Sequence, residues 1–165
     1  MSDSTDFDGR RFRDVLGTFP TGVTVVTADD PDEGPSGMTI GSFTSVSLDP
    51  PLVAFLPATT ASAWPAIESA GSFCVNVLAV DQVETCNTFA SKGADKFAAV
   101  EWTPAPVTGS PVLTGSLSWI DCRIEAVHEA GDHVIVVGAV VAMEHARDTE
   151  PLLFHGGRYG RIDPL

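Results

Sequence analysis

Apolar residues between Asp8 and Phe19 recur at Phe12, Val15, Leu16 and Phe19, the i, i+3, i+4, i+7 spacing of one helix face. Asp8 supplies an N-cap for this helix, and Gly17 and Pro20 end it. The run Gly22–Ala28 (GVTVVTA) is β-branched and reads as a strand, and the acidic stretch 29–36 (DDPDEGPS) predicts a loop. Residues 38–48 and 52–57 predict strands parted by Asp49-Pro50-Pro51, whose prolines interrupt any ladder. Ser62–Ala70 predicts a short helix with Pro65 in its first turn, Phe73–Leu78 a strand, and Asp81–Ala90 a helix capped by Asp81. Pro104, Pro106 and Pro111 mark an irregular crossing. Two long strands, 116–127 and 133–143, are predicted to pair around residues 129–132, with Ile120, Cys122, Ile124 and Ala126 alternating onto one face. Leu152–Phe154 makes a last short strand before Gly156-Gly157.

About seven strands and two or three short helices, without regular alternation, predict a mainly β fold: an antiparallel barrel with helical caps. A doubly wound parallel sheet is disfavoured, and neither G-x-G-x-x-G after a strand nor G-x-x-x-x-G-K-[ST] occurs. The length of 165 residues suits one domain spanning the chain. The acidic loop is no domain linker, because too few residues precede it to fold alone.

Composition narrows the functional classes. With 44% hydrophobic and 19% charged residues the chain reads as globular. Nine Lys and Arg against 22 Asp and Glu leave a formal charge of -13, which repels nucleic acid and anionic membranes but leaves room for a local phosphate site. Cys74, Cys86 and Cys122 form no C-x-x-C, which argues against a zinc site and a disulfide framework and suits a reducing cytoplasm. The leader 1–7 is polar and acidic, is read as disordered, and does not resemble a signal peptide. No apolar run approaches the ~18 residues of a membrane helix.

The densest polar cluster, Gly37–Ser47, sets five hydroxyls and two glycines in eleven residues. A flat ring with a phosphate tail needs close backbone approach, which glycine permits, and small polar partners, which Ser and Thr provide. A solvent-facing strand uses the same residues, and composition alone favours that plainer reading. Thr59, Thr60 and Ser62 precede the second predicted helix and either assist phosphate binding or act as caps. Lys92 and Lys96 neutralise a phosphate or are simply solvated. In Gly131-Asp132-His133 the first two residues suit a turn, and His133 is either a strand-start residue or a ligand contact. His128, His145 and His155 make no metal-ligand spacing with it, so no metal is expected. No G-x-S-x-G elbow accompanies the hydroxyls, which argues against a Ser-His-Asp hydrolase.

Six segments in order carry a resemblance: FRDVLGTFPTGVTVVTA (12–28), GMTIGSFTSVSLDPPLVAF (37–55), FCVNVL (73–78), FASKGADKFA (89–98), GSLSWIDCRIEAVHEAGDHVIVVGAV (115–140) and LLFHGGRYG (152–160). Together they resemble the flavin reductase-like, FMN-binding split-barrel family, the reductase partners of two-component flavin monooxygenases. The resemblance implies an antiparallel split β-barrel of FMN-binding type, homodimeric, with flavin near the subunit interface. By position, Thr39, Gly41, Ser42 and Phe43 would lie along the isoalloxazine ring, and Ser45, Ser47, Thr60 and Ser62 would serve the ribityl-phosphate region. Phe89, Ala90, Ser91, Lys92 and Lys96 would close the phosphate end. His133 would contact the nicotinamide, and Tyr159 would lie near the cofactor. Where many relatives read T-x-N-S this chain reads T-I-G-S, with Gly41 in place of Asn.

The resemblance implies NAD(P)H:flavin oxidoreduction on FMN or FAD, with reduced flavin passed to a partner flavin-dependent monooxygenase. No basic cluster awaits a 2′-phosphate, which tilts the donor toward NADH over NADPH. A flavin-binding module without turnover, and a split-barrel oxidoreductase acting on something other than free flavin, are the alternatives.

Overall fold

The structure, a computed structural model, describes residues 8–93 and 95–165. The expected disorder of 1–7 lies outside the described residues. Helix α1 (Gly9–Leu16) begins as the spacing predicts, with the Asp8 carboxylate accepting from the Arg10 N–H at 3.0 Å. Strands β1 (Thr21–Gly22), β2 (Thr24–Asp30), β3 (Gly34–Ile40), β4 (Thr44–Leu48) and β5 (Pro51–Phe55) follow. Helix α2 (Trp64–Ala70) leads to β6 (Ser72–Val77), and α3 (Val83–Ala90) to a 3₁₀ turn at Lys96–Ala99. Then come β7 (Trp102–Pro104), β8 (Pro111–Leu113), the long β9 (Ser118–Ala130) and β10 (His133–His145), and finally β11 (Leu153–His155) and β12 (Arg158–Gly160).

Seven strands form one antiparallel sheet in the order β3-β2-β6-β9-β10-β5-β4. Strands β3 and β4 are neighbours in sequence but occupy opposite edges, so the sheet curls around its core as a split barrel whose two edges are bridged by Gly41–Phe43. Both faces of β2 are covered: Val26 and Ala28 enter one core with Phe55, Ile67, Phe73 and Val136, while Val25 enters a second with Leu78, Phe89 and Leu152. That double burial is why GVTVVTA is nearly continuous in apolar and β-branched residues. Helix α2 seals the first core with Trp64 and Ile67 and ends at Gly71, whose φ of 65° is the left-handed stop that glycine adopts without strain.

Two buried polar side chains pin the β7–β8 hairpin to the sheet. Asn76 donates to the Val25 and Pro111 carbonyls and to Thr27 Oγ1, and accepts from the Leu113 N–H at 2.8 Å. Asp121 accepts from the N–H groups of Val107 and Thr108, both at 3.1 Å, and from the Thr108 hydroxyl. Nearby, Gly138 leaves room for the Phe73 ring: a Cβ there would lie 2.9 Å from Phe73 Cε1, closer still to Cζ, and 3.2 Å from Cys122 Cβ. Phe73 is fully buried and set edge-on to Phe55 at 4.9 Å, so it has nowhere to retreat. Gly138→Ala is therefore expected to cost about 1–3 kcal/mol, read as a lowered denaturant midpoint at unchanged slope.

Several expectations are corrected. The acidic stretch 29–36 is a tight hairpin rather than a loop, because Asp30 Oδ1 accepts from the Asp32 and Glu33 N–H groups at 3.0 and 2.9 Å and turns the chain directly. Residues 38–48 are two strands rather than one. Asp81 does not cap α3: Gln82 holds that position, and Asp81 instead takes a two-pronged hydrogen bond from Arg147 at 2.9 and 3.1 Å. The proline-rich crossing contains a short strand pair, in which Pro104 faces Pro111.

Candidate functional site

A cleft of about 1450 Å³ opens where β3, the end of α3, the segment after β5 and the β9–β10 hairpin tip converge. Each wall has a local cause. Ser42 bridges the break after β3: its hydroxyl accepts from the Leu56 N–H at 3.0 Å and donates to the Leu56 carbonyl at 3.2 Å, imitating a strand partner. Thr39 donates its hydroxyl to the Cys86 carbonyl at 2.9 Å, tying β3 to α3. With their protons committed, both hydroxyls offer a ligand lone pairs rather than donors. Gly41 lies between them on the same wall.

Where α3 ends, the cleft is cationic. Ser91, Lys92 and Lys96 gather there with Phe89 and Ala90. Lys96 Nζ donates to the Phe89 carbonyl at 2.9 Å and to that of Gly37 at 3.4 Å, leaving one N–H uncommitted. Burial holds its ammonium below the ordinary lysine range. Thr60 and Ser62 line the same cleft, and since Ala63 takes the N-cap position of α2 with no side-chain cap, these hydroxyls are not spent on capping. A smaller pocket of about 330 Å³ adjoins this end, with Lys96 in the shared wall.

At the hairpin tip the loop is only Gly131-Asp132, with Gly131 at φ 68°. The tip is anchored over the cleft because the Thr59 N–H and hydroxyl both donate to the Asp132 carbonyl, at 2.9 and 3.1 Å, while Val134 N–H reaches the Pro57 carbonyl at 3.1 Å. The Asp132 carboxylate meets His133 Nδ1 at 2.7 Å, and that hydrogen bond holds its carboxyl below the usual range. With Nδ1–H donated to Asp132, a neutral His133 ring keeps Nε2 as an acceptor, and His133 is among the residues that line the cleft. No serine hydroxyl bonds to His133 among the described residues, so no nucleophilic triad is assembled.

Phe43, Ser45, Ser47 and Tyr159 stand outside the cleft wall. Phe43 packs on the first core, and Ser45 and Ser47 ride β4 to the far edge of the sheet. Tyr159, from β12, sits against α3: its hydroxyl donates to Asn87 Oδ1 at 2.8 Å and lies 3.3 Å from Cys86 Sγ. That contact with Cys86, with burial second, pushes the phenol up to about 12. Sequence reasoning missed the cleft residues Phe12, Arg13 and Leu16 of α1 and Leu56–Ala58. Phe12 and Leu16 were visible as an apolar helix face but not as one directed at a site. All three cysteines are free and buried, and burial pushes the Cys74 and Cys122 thiols up, the latter to about 12.

Among the described residues no helix is long and apolar enough to cross a membrane. The fold is that of the split-barrel class, and comparison with known proteins agrees. The flavin reductase-like domain model matches residues 16–163. The chain is 52% identical, over 95% of its length and 80% of the relative's, to the reductase subunit of a flavin-dependent monooxygenase from Rhodococcus jostii. It is 48% identical to an NADH-dependent FMN reductase of Agrobacterium fabrum, covering 94% and 87% of the two chains. An NADH:FAD oxidoreductase of Streptomyces globisporus, solved with NAD and FAD fragments, superposes with a TM-score of 0.90 at 38% identity, covering 95% and 94%. The chain belongs to the flavin reductase-like family.

Proposed function

We propose that the cleft holds a flavin along Thr39, Gly41 and Ser42, with its phosphate toward Ser91, Lys92 and Lys96, and that His133 positions the nicotinamide. The chain is an NAD(P)H-dependent flavin reductase of the kind that supplies reduced flavin to a monooxygenase. The observation that carries the site is the make-up of the cleft: one lining brings together the hydroxyl lone pairs and bare glycine backbone of Thr39, Gly41 and Ser42, the ammonium groups of Lys92 and Lys96, and the Asp132-paired imidazole of His133. When bound, the flavin takes up the hydride that the dihydronicotinamide gives up. The chain's own task is to bind, orient and exclude water, so the Asp132–His133 pair is read as holding the donor in place and not as a proton-transfer couple. Asp132 fixes the His133 tautomer, and His133 Nε2 can then accept from a carboxamide N–H of the donor.

NADH oxidation followed by absorbance, with FMN, FAD or riboflavin added in turn and NADPH as the control donor, tests this reading. Flavin-dependent turnover is expected, with NADH preferred. Flavin binding without turnover would mark a binding module, and turnover confined to another acceptor would mark a different split-barrel oxidoreductase.

A lysine lowered by burial loses its charge early on the alkaline side. Between that lowered value and the ordinary 10.5 the unfolded chain binds more protons, so folding stability rises with pH across that window. A bound phosphate works the other way, because it favours the ammonium. The ratio of FMN to riboflavin affinity is therefore expected to fall as pH climbs through the lowered value. Lys96→Met should abolish that trend and weaken FMN about tenfold or more at neutral pH, while riboflavin, which lacks the phosphate, changes little; titrations of flavin fluorescence check both.

We also propose that the protein works as a homodimer in the cytoplasm. Supporting the first is α1, which buries none of its residues while leaving Phe12, Val15, Leu16 and Phe19 between 53% and 72% exposed. Light scattering is expected to give twice the chain mass, and Phe12→Glu to lower it. Three unpaired cysteines support a reducing compartment.

A further inference from the structure

The phenol of Tyr159 touches two residues, Cys86 and Asn87, and the main-chain carbonyl of each holds a cleft group in place. Cys86 O accepts the Thr39 hydroxyl at 2.9 Å, and Asn87 O accepts the Ser91 N–H at 3.1 Å. Thr39 lies on one wall of the cleft and Ser91 at its cationic end. Helix α3 needs such a tie. It is eight residues long, too short to be stable alone, and its N-cap residue Gln82 spends its side chain on Ala79 N–H and the Thr114 carbonyl instead of capping. Tyr159 reaches α3 from β12, 72 residues away from Asn87 in sequence, and its ring is fixed edge-on to Phe154 at 5.6 Å.

We propose that Tyr159 is a positioning residue for flavin: without entering the cleft, its hydroxyl sets the rotation of α3, and through Cys86 and Asn87 the places of Thr39 and Ser91. The proposal rests on the flavin reading of the cleft. It assigns Tyr159 to flavin affinity and not to hydride transfer, since nothing in its contacts reaches the His133 side.

Tyr159→Phe keeps the ring on Phe154 and removes both hydroxyl contacts. The expected result is a five- to tenfold rise in flavin Kd, measured by quenching of flavin fluorescence without nicotinamide, and a matching rise in KM for flavin. At saturating flavin, kcat and the KM for NADH stay within about twofold of the parent. Asn87→Ala removes the acceptor from the other side, should give a similar loss, and should add little to Tyr159→Phe in the double variant. It also serves if Tyr159→Phe fails to fold. Unchanged flavin Kd in the folded variants, fully additive losses, or a fall in kcat at saturation would each overturn the proposal. A parent protein that binds flavin but does not oxidise NADH would defeat the reductase reading and leave the Kd comparison to decide the role of Tyr159. A parent that binds no flavin would defeat both.

Discussion

Replacing His133 by alanine is expected to lower kcat/KM for NADH about ten- to a hundredfold, roughly 1.4–2.8 kcal/mol of transition-state stabilisation, while flavin Kd moves by less than twofold. The asymmetry follows from placement. His133 stands at the hairpin tip, held by Asp132 and by the Thr59 bonds to the Asp132 carbonyl, whereas the hydroxyls proposed to face flavin belong to β3 and the break after it, and the cations to the segment after α3. Nothing in the His133 hydrogen bonding runs to Thr39, Ser42 or Lys96. Asp132→Ala should shift NADH kinetics in the same direction and by less, since the ring remains but loses its fixed tautomer. Steady-state kinetics with each substrate varied, beside a direct flavin titration, separates the two effects. Parallel loss of flavin binding in His133→Ala would remove the histidine from its assigned role.

Asp121→Ala is expected to be the most destabilising single change, by about 3–5 kcal/mol. The carboxylate is fully buried on β9 and accepts from two main-chain N–H groups and one hydroxyl in the turn between β7 and β8. Alanine would strip the Val107 and Thr108 N–H groups of their acceptor and open a cavity beside Cys74, while the Thr108 hydroxyl could still turn to Ser110 Oγ. Thr108→Val removes one donor along with part of the network and should cost about 1–2 kcal/mol, which makes a graded pair. Urea unfolding read by tryptophan fluorescence measures both, and an Asp121→Ala midpoint close to the parent's would show that the turn is held by other means.

What the chain disclosed in advance was whatever is periodic or local. The β9–β10 pair announced itself by alternation, and α1 by its apolar face and Asp8 cap. The failures share a different cause. The stretch 29–36 read as a loop and the strand as starting at 38, yet β3 begins at Gly34 and takes in Pro35, because it is an edge strand where a missing N–H goes unneeded. The hydroxyl-rich stretch 38–48 looked continuous because propensity cannot show that Ser42 takes Leu56 as a side-chain partner and lets the chain cross the sheet. Asp81 looked like a cap because Arg147, 66 residues later, is invisible locally. In the cleft, the family pattern marked Thr39, Lys96 and His133. The tie from Tyr159 to α3 spans 72 residues and involves a tyrosine that sequence order alone would have set beside the cofactor.

The buried thiols bear on how long such a protein lasts in its own company. A reductase that lets reduced flavin diffuse works beside dioxygen, and reduced flavin spilled into it yields peroxide. Peroxide oxidises thiolates far faster than neutral thiols, and oxidation past sulfenic acid to sulfinic acid is hard to reverse. Cys74 and Cys122 are sealed between strands and held protonated across the physiological range, so they meet this hazard as inert hydrophobes. The same packing that gives the barrel its centre thus protects the enzyme from leakage of its product.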